Sequence, residues 1–215
     1  MTRVELPYEP LFDKGEGDPI ILLHGFFGNF HVWEKVIDEF ASTHRVLIPR
    51  IPLFTNPITK ERLDDLIDYL DRFIRKNVST DKQVILIGNS LGGHMALMYA
   101  WEQPSRVRKL VLAGSSGLFE NSLGDAFPQV DDYDFVQGQV MSAVSILHSI
   151  SMPTLLVWGI QDTVTPPEVA LEFHDHLPNS KVVFLESCGH VPMIEQPDLF
   201  IHHVRAFLKM PYTLK

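Results

Sequence analysis

The sequence holds one cysteine, Cys188, so no internal disulfide can form, which fits a reducing compartment such as the cytoplasm. No apolar run approaches the ~20 residues that a membrane span requires. The opening MTRVELPYEP lacks the apolar centre of a secretory signal. Positive charge is scarce: 18 Lys and Arg stand against 27 Asp and Glu, for a net charge of -9. A chain so acidic has no basic surface to neutralise the phosphates of a nucleic acid. Internal repeats and low-complexity stretches are absent. Metal-ligand spacing is absent too: His174 and His176 lie two apart on a helical stretch, His202 and His203 are adjacent, and neither pair can face one ion.

What is present is ordinary for one globular domain spanning residues 1–215: 45% apolar and 21% charged residues, with 14 Phe for a core or an apolar pocket. Short, wholly apolar runs recur. IILLHG (20–25), HRVLIP (44–49), QVILIG (83–88), VRKLVLAG (107–114), PTLLVWG (153–159) and KVVFLE (181–186) read as buried strands. Helical spacing separates them, in FHVWEKVIDEFA (30–41), KERLDDLIDYLDRFIRK (60–76), LGGHMALMYAW (91–101), TPPEVALEFHDHL (165–177) and PDLFIHHVRAFL (197–208). The third of these is apolar on nearly every side and must be buried. For the fourth, Thr165 is expected to cap the helix, with Pro166 in the first turn and Glu168 completing a capping box.

Continuous Val/Ile/Leu strands alternating with helices predict an α/β fold: a mostly parallel sheet covered by helices on both faces. The first 17 or so residues, with two prolines and a DKGEG turn, are expected to add an antiparallel hairpin at one edge. In such sheets ligands sit at the carboxyl ends of the strands.

One strand end stands out. In GNSLGG, Ser90 lies between Gly88 and Gly92, after an apolar strand and before a helix. A turn that sharp strains its central residue and leaves no room for side chains two positions either side. It thrusts a hydroxyl out at a helix N-terminus, the G-x-S-x-G nucleophile elbow. The pentapeptide alone is equally a glycine turn that packs a helix tightly on a sheet. A serine hydroxyl needs a base, and the base needs an orienting acid. His190 follows the strand KVVFLE and Asp162 follows PTLLVWG, giving the chain order Ser90, Asp162, His190. Donors for an oxyanion are expected from the backbone N–H of Leu91 and of Phe26, in the loop after IILL. His24 is expected to tie that loop to its neighbour, and His94 to make a packing or polar contact under the site. Phe27, Phe30, Leu118, Phe119, Val164 and Val191 flank the strand ends as candidate pocket walls, or are plain core.

With these pieces together, LLHGFFGNFHVWE, VILIGNSLGGHMALMYAWEQPSRVRKLVLAGSSG and the stretch PTLLVWGIQDTVTPPEV to CGHVPMIEQP resemble the α/β-hydrolase superfamily. GNSLGG and CGHVPMIEQP look like its branch of single-domain esterases and carbon–carbon bond hydrolases of ring-cleavage products. The resemblance implies a serine hydrolase acting on a small-molecule ester without cofactor or metal. Ser90 would be the nucleophile, His190 the base, Asp162 its acid, and Phe26 and Leu91 the oxyanion donors. Haloalkane dehalogenases and epoxide hydrolases carry an aspartate where Ser90 stands, which speaks against both activities. Two departures are visible. PRIPLFTNP replaces the usual D-x-P-G-x-G, and residues 119–150 are too few for the usual helical cap, which implies a reduced or deleted lid. In the latter segment Tyr133, Val136, Val140, Val144 and Leu147 have the spacing of a single helix. Apolar surface left uncovered by a small cap would favour a homodimer. Beside the esterase stand two alternatives: a carbon–carbon hydrolase, and a binding protein that keeps the fold with little turnover.

Overall fold

The computed structural model describes residues 8–26, 28–52, 63–116 and 146–211. Among the described residues, seven strands form one sheet: β1 (Phe12–Lys14), β2 (Pro19–Leu23), β3 (Arg45–Ile48), β4 (Val84–Asn89), β5 (Val107–Ala113), β6 (Thr154–Gly159) and β7 (Ser180–Leu185). Their spatial order is β1-β3-β2-β4-β5-β6-β7. All pairings are parallel except that of β1 with β3. The expected edge hairpin is therefore corrected. The N-terminal strand is antiparallel and lies at the edge, but it pairs Phe12 with Ile48 on β3 rather than with its neighbour in sequence.

Six α-helices cover the sheet among the described residues: α1 (Glu34–Ala41), α2 (Leu63–Asn77), α3 (Leu91–Glu102), α4 (Pro167–His176), α5 (Pro192–Glu195) and α6 (Pro197–Lys209). The apolar runs of β2, β4 and β6 are buried along their whole length, because both faces are covered. One core layer gathers Leu66, Leu70 and Phe73 of α2, Met95 and Tyr99 of α3, and Phe173 of α4. The other gathers Trp33, Val36 and Phe40 with Phe200, Val204 and Phe207 of α6. Of the segment expected to carry the cap, Leu147 and Ile150 lie buried in the first layer, Ile146 is buried as well, and residues 119–145 fall outside the described residues.

Two local features depart from the sequence pattern. Lys109 sits inside the apolar strand β5 and is buried. Its ammonium donates to the carbonyls of Phe207, Leu208 and Met210 at 2.9, 2.8 and 2.7 Å. A helix end leaves its last carbonyls unpaired and slightly negative, so a cation there is well placed. Thr165 is not the cap expected of it. Helix α4 starts at Pro167 with Pro166 at the cap position and no side-chain capping bond. The Thr165 N–H and hydroxyl turn instead to the carboxylate of Asp162.

Candidate active site

The carboxyl ends of β4, β6 and β7 bring Ser90, Asp162 and His190 to one rim. Ser90 adopts φ 54° and ψ -122° between β4 and α3. A non-glycine residue in that region costs of order 1–3 kcal/mol and persists only where its surroundings enforce it. The enforcement is visible. Ser90 N–H donates to Ala113 O at 3.1 Å, while its carbonyl accepts from Gly93, His94 and Ser116 N–H groups at 2.9, 3.1 and 3.3 Å. A methyl group on Gly88 would overlap the Gly92 carbonyl, and one on Gly92 would overlap that of Leu23. The two flanking glycines are therefore a steric requirement of helix α3 packed hard on the strand ends.

Asp162 is 3% exposed and fully engaged. Its Oδ1 accepts from the N–H groups of Val164 and Thr165, both at 2.9 Å. Its Oδ2 lies 2.8 Å from His190 Nδ1 and 3.0 Å from the Thr165 hydroxyl. With a carboxylate as acceptor, Nδ1 carries the proton and Nε2 is left as the basic nitrogen. The Thr165 hydroxyl also lies 3.0 Å from Gly114 O, and its single proton serves one acceptor at a time. Gly114 itself has φ 51°, and a methyl there would come within 3.0 Å of Asp162 Oδ2 and 3.1 Å of His190 Nδ1. The end of β5 is thus kept clear for the carboxylate–imidazole pair.

No hydrogen bond joins the Ser90 hydroxyl to His190 among the described residues. Their loops are linked through Asn89, whose amide donates to Ala113 O at 2.9 Å and to His190 O at 3.0 Å. Pattern reading missed Asn89, since a residue inside the elbow offers no sign of a partner 101 positions away. Thr165 as a partner of Asp162 is hidden by the capping-box pattern that the same threonine begins. Asp162 three residues earlier was the available signal, for an aspartate readily accepts from N–H groups two and three positions on.

The loop after β2 passes close to the serine: a methyl on Gly25 would lie 2.9 Å from Ser90 Cβ. A turn closed by Gly28 N–H on Gly25 O at 3.0 Å holds Phe26 at that loop's tip. His24 Nδ1 also contacts Gly25 O at 2.9 Å, and burial lowers its pKa. Leu91 is the first residue of α3, so its N–H has no acceptor within the helix. Phe30 and Val191 are half-buried against the second core layer. Val164 is half-buried beside Asp162. Phe27, Leu118 and Phe119 lie outside the described residues. Cys188 is buried, and burial, with the charges of Glu195 and Asp162, pushes its thiol up to about 11, which suits packing rather than attack. Beneath the serine, His94 is buried with Nδ1 unpartnered, and burial lowers its pKa to about 4. Among the described residues, no group of three His, Cys, Asp or Glu is placed to hold a metal ion.

A parallel sheet with a strained serine at one strand end and a carboxylate-bound histidine at another defines a hydrolase architecture. A family model described as alpha/beta hydrolase fold matches residues 18–140 and 134–197, and the chain belongs to that family. It is similar to MGS-MChE2, an alpha/beta hydrolase enzyme from the metagenome of lagoon sediments at Mar Chica, Morocco, at 34% identity. That likeness covers 95% of this chain and 98% of that one, with a TM-score of 0.81. The chain is 27% identical to the 2-hydroxy-6-oxo-6-(2'-aminophenyl)hexa-2,4-dienoic acid hydrolase of Metapseudomonas resinovorans, over 91% of this chain and 86% of that protein. It is 25% identical to lipase 3 of Moraxella sp. strain TA144, over 91% of this chain and 78% of that protein. Among the described residues no helix is long and apolar enough to cross a membrane.

Proposed function

We propose that this hydrolase cleaves carboxylic esters through an acyl-enzyme on Ser90. The observation that carries the reading is the 2.8 Å bond from His190 Nδ1 to a buried Asp162, on the same rim as a serine held at positive φ. The Ser90 hydroxyl adds to the ester carbonyl as His190 Nε2 takes its proton. The developing oxyanion is received by the backbone N–H groups of Leu91 and Phe26. Collapse breaks the carbon–oxygen bond, and the leaving alcohol takes the proton back from Nε2. Water, deprotonated by the same nitrogen, then clears the acyl group as a carboxylic acid and restores the hydroxyl. Asp162 holds the ring in the tautomer that both steps need.

The reduced cap is part of this reading, and what supports it is length: alignments to both the hydrolase and the lipase run to 253 positions, although this chain supplies 91% of 215 residues. A smaller lid leaves the serine more open to water and favours esters that need little enclosure. The relative from Metapseudomonas supports a second reading, hydrolysis of a carbon–carbon bond in a vinylogous diketone by the same three residues. Lipase and dienoic acid hydrolase names attach to relatives of similar identity, so identity does not choose between them. The short lid favours the ester.

A fluorophosphonate probe tests the reading. It labels Ser90 in the folded protein, and Ser90→Ala removes both the label and the turnover of p-nitrophenyl esters, by about 10⁴-fold or more. Folded protein that resists the probe overturns the proposal.

A further inference from the structure

Three backbone groups around His190 are held by side chains. The carbonyl of His190 accepts from Asn89. The N–H groups on either side of it, those of Gly189 and Val191, both donate to Glu195, at 2.7 Å to Oε2 and 2.9 Å to Oε1. One carboxylate thus brackets the histidine in the chain, and the loop curves around it as backbone curves around a bound anion.

The carboxylate sits on a fixed perch. Glu195 ends helix α5, whose Met193 is fully buried. Lys35 Nζ donates to Ile194 O at 3.0 Å, and Gln196 donates to Ser187 O at 3.3 Å. Charge-assisted bonds to backbone N–H groups are about twice as strong as neutral ones. The Asp162 bond alone leaves the imidazole free to swing about its own attachment to the loop. Orientation of Nε2 also needs the loop backbone to stay put.

We propose that Glu195 is a positioning residue: it sets the backbone at 189–191 so that the imidazole of His190 meets Asp162 on one side and Ser90 on the other. This rests on His190 acting as the base. Glu195 is five residues from His190 along the chain and touches no reacting atom. A 1 Å error in such a base costs on the order of 100-fold in rate.

Two variants reach the contact from opposite sides. Glu195→Gln leaves one acceptor oxygen for two N–H groups, and its amide NH₂ opposes the second. Gly189→Ala places a methyl 3.0 Å from Oε2 and 3.2 Å from Oε1, which pushes the carboxylate outward. Gly189 is not among the residues of positive φ, so its backbone accepts alanine. Both proteins are first checked for native circular dichroism. The readout is the downfield proton resonance of His190 Nδ1–H against Asp162, assigned by its loss in His190→Ala. It is expected to broaden through solvent exchange at least tenfold faster in both variants. Alongside it, kcat for p-nitrophenyl acetate is expected to fall 10- to 100-fold with KM within twofold. A resonance unchanged in either folded variant overturns the proposal, whatever the rate does. A parent protein without Ser90-dependent turnover overturns the ester reading instead, and the resonance still decides the role of Glu195.

Discussion

Asn89 and His190 are joined by one hydrogen bond of 3.0 Å, from a side chain at the end of β4 to a carbonyl in the loop after β7. The same amide reaches Ala113 O on β5, so both of its protons are spent on the rim.

That arrangement makes the amide, not its shape, the requirement. Asn89→Ala leaves two carbonyls without their donor and is expected to cost about 2 kcal/mol of stability and roughly tenfold in kcat. Asn89→Asp is nearly isosteric yet worse on both counts, because an ionised carboxylate would face two carbonyl oxygens with nothing to donate. Urea unfolding and ester turnover measure the pair. An aspartate variant better than the alanine variant contradicts the argument.

Acid lability is expected from His94. Burial holds its folded pKa at about 4, against 6.5 for a freely solvated histidine. Between those values the unfolded chain carries a proton that the folded chain does not. Stability therefore falls as pH falls from about 6.5 toward 4, by roughly 3 kcal/mol in total. The buried His24, whose pKa is also lowered, acts in the same direction. Urea midpoints measured at pH 7 and pH 4.5 are expected to separate by clearly less in His94→Gln than in the parent.

Lys109 offers a test of stability apart from function. It lies near the amino end of β5, away from the rim, and its ammonium serves three carbonyls at the end of α6. Lys109→Met is expected to lose about 2–3 kcal/mol, seen as a melting temperature lower by about 5–10 °C. At 25 °C its kcat should match the parent. Calorimetry and turnover on one preparation check both halves.

The order of strands and helices was legible because each strand is an unbroken apolar run and each helix has a clear stripe or is apolar all round. The elbow was legible because steric crowding writes glycines into the sequence at fixed offsets from Ser90. The edge partner of β1 was not, since three residues carry no register and adjacency in sequence pointed to β2. Thr165 was misread because two local uses compete for it, and a buried charged acceptor outweighs a helix N-terminus that prolines already begin. The bracket made by Glu195 was written only four positions from Val191, but nothing in a glutamate after a short apolar stretch says that its target is the backbone on both sides of a histidine.

Sheet position has a consequence for how such a molecule fails. Ser90 hangs from β4, in the middle of the sheet, while His190 hangs from β7, its outermost strand. Marginal strands open locally at lower cost than interior ones. The two halves of the proposed chemistry are thus anchored with unequal security, and warming or mild denaturant would disarm the imidazole arm while the hydroxyl arm and most of the helices still stand.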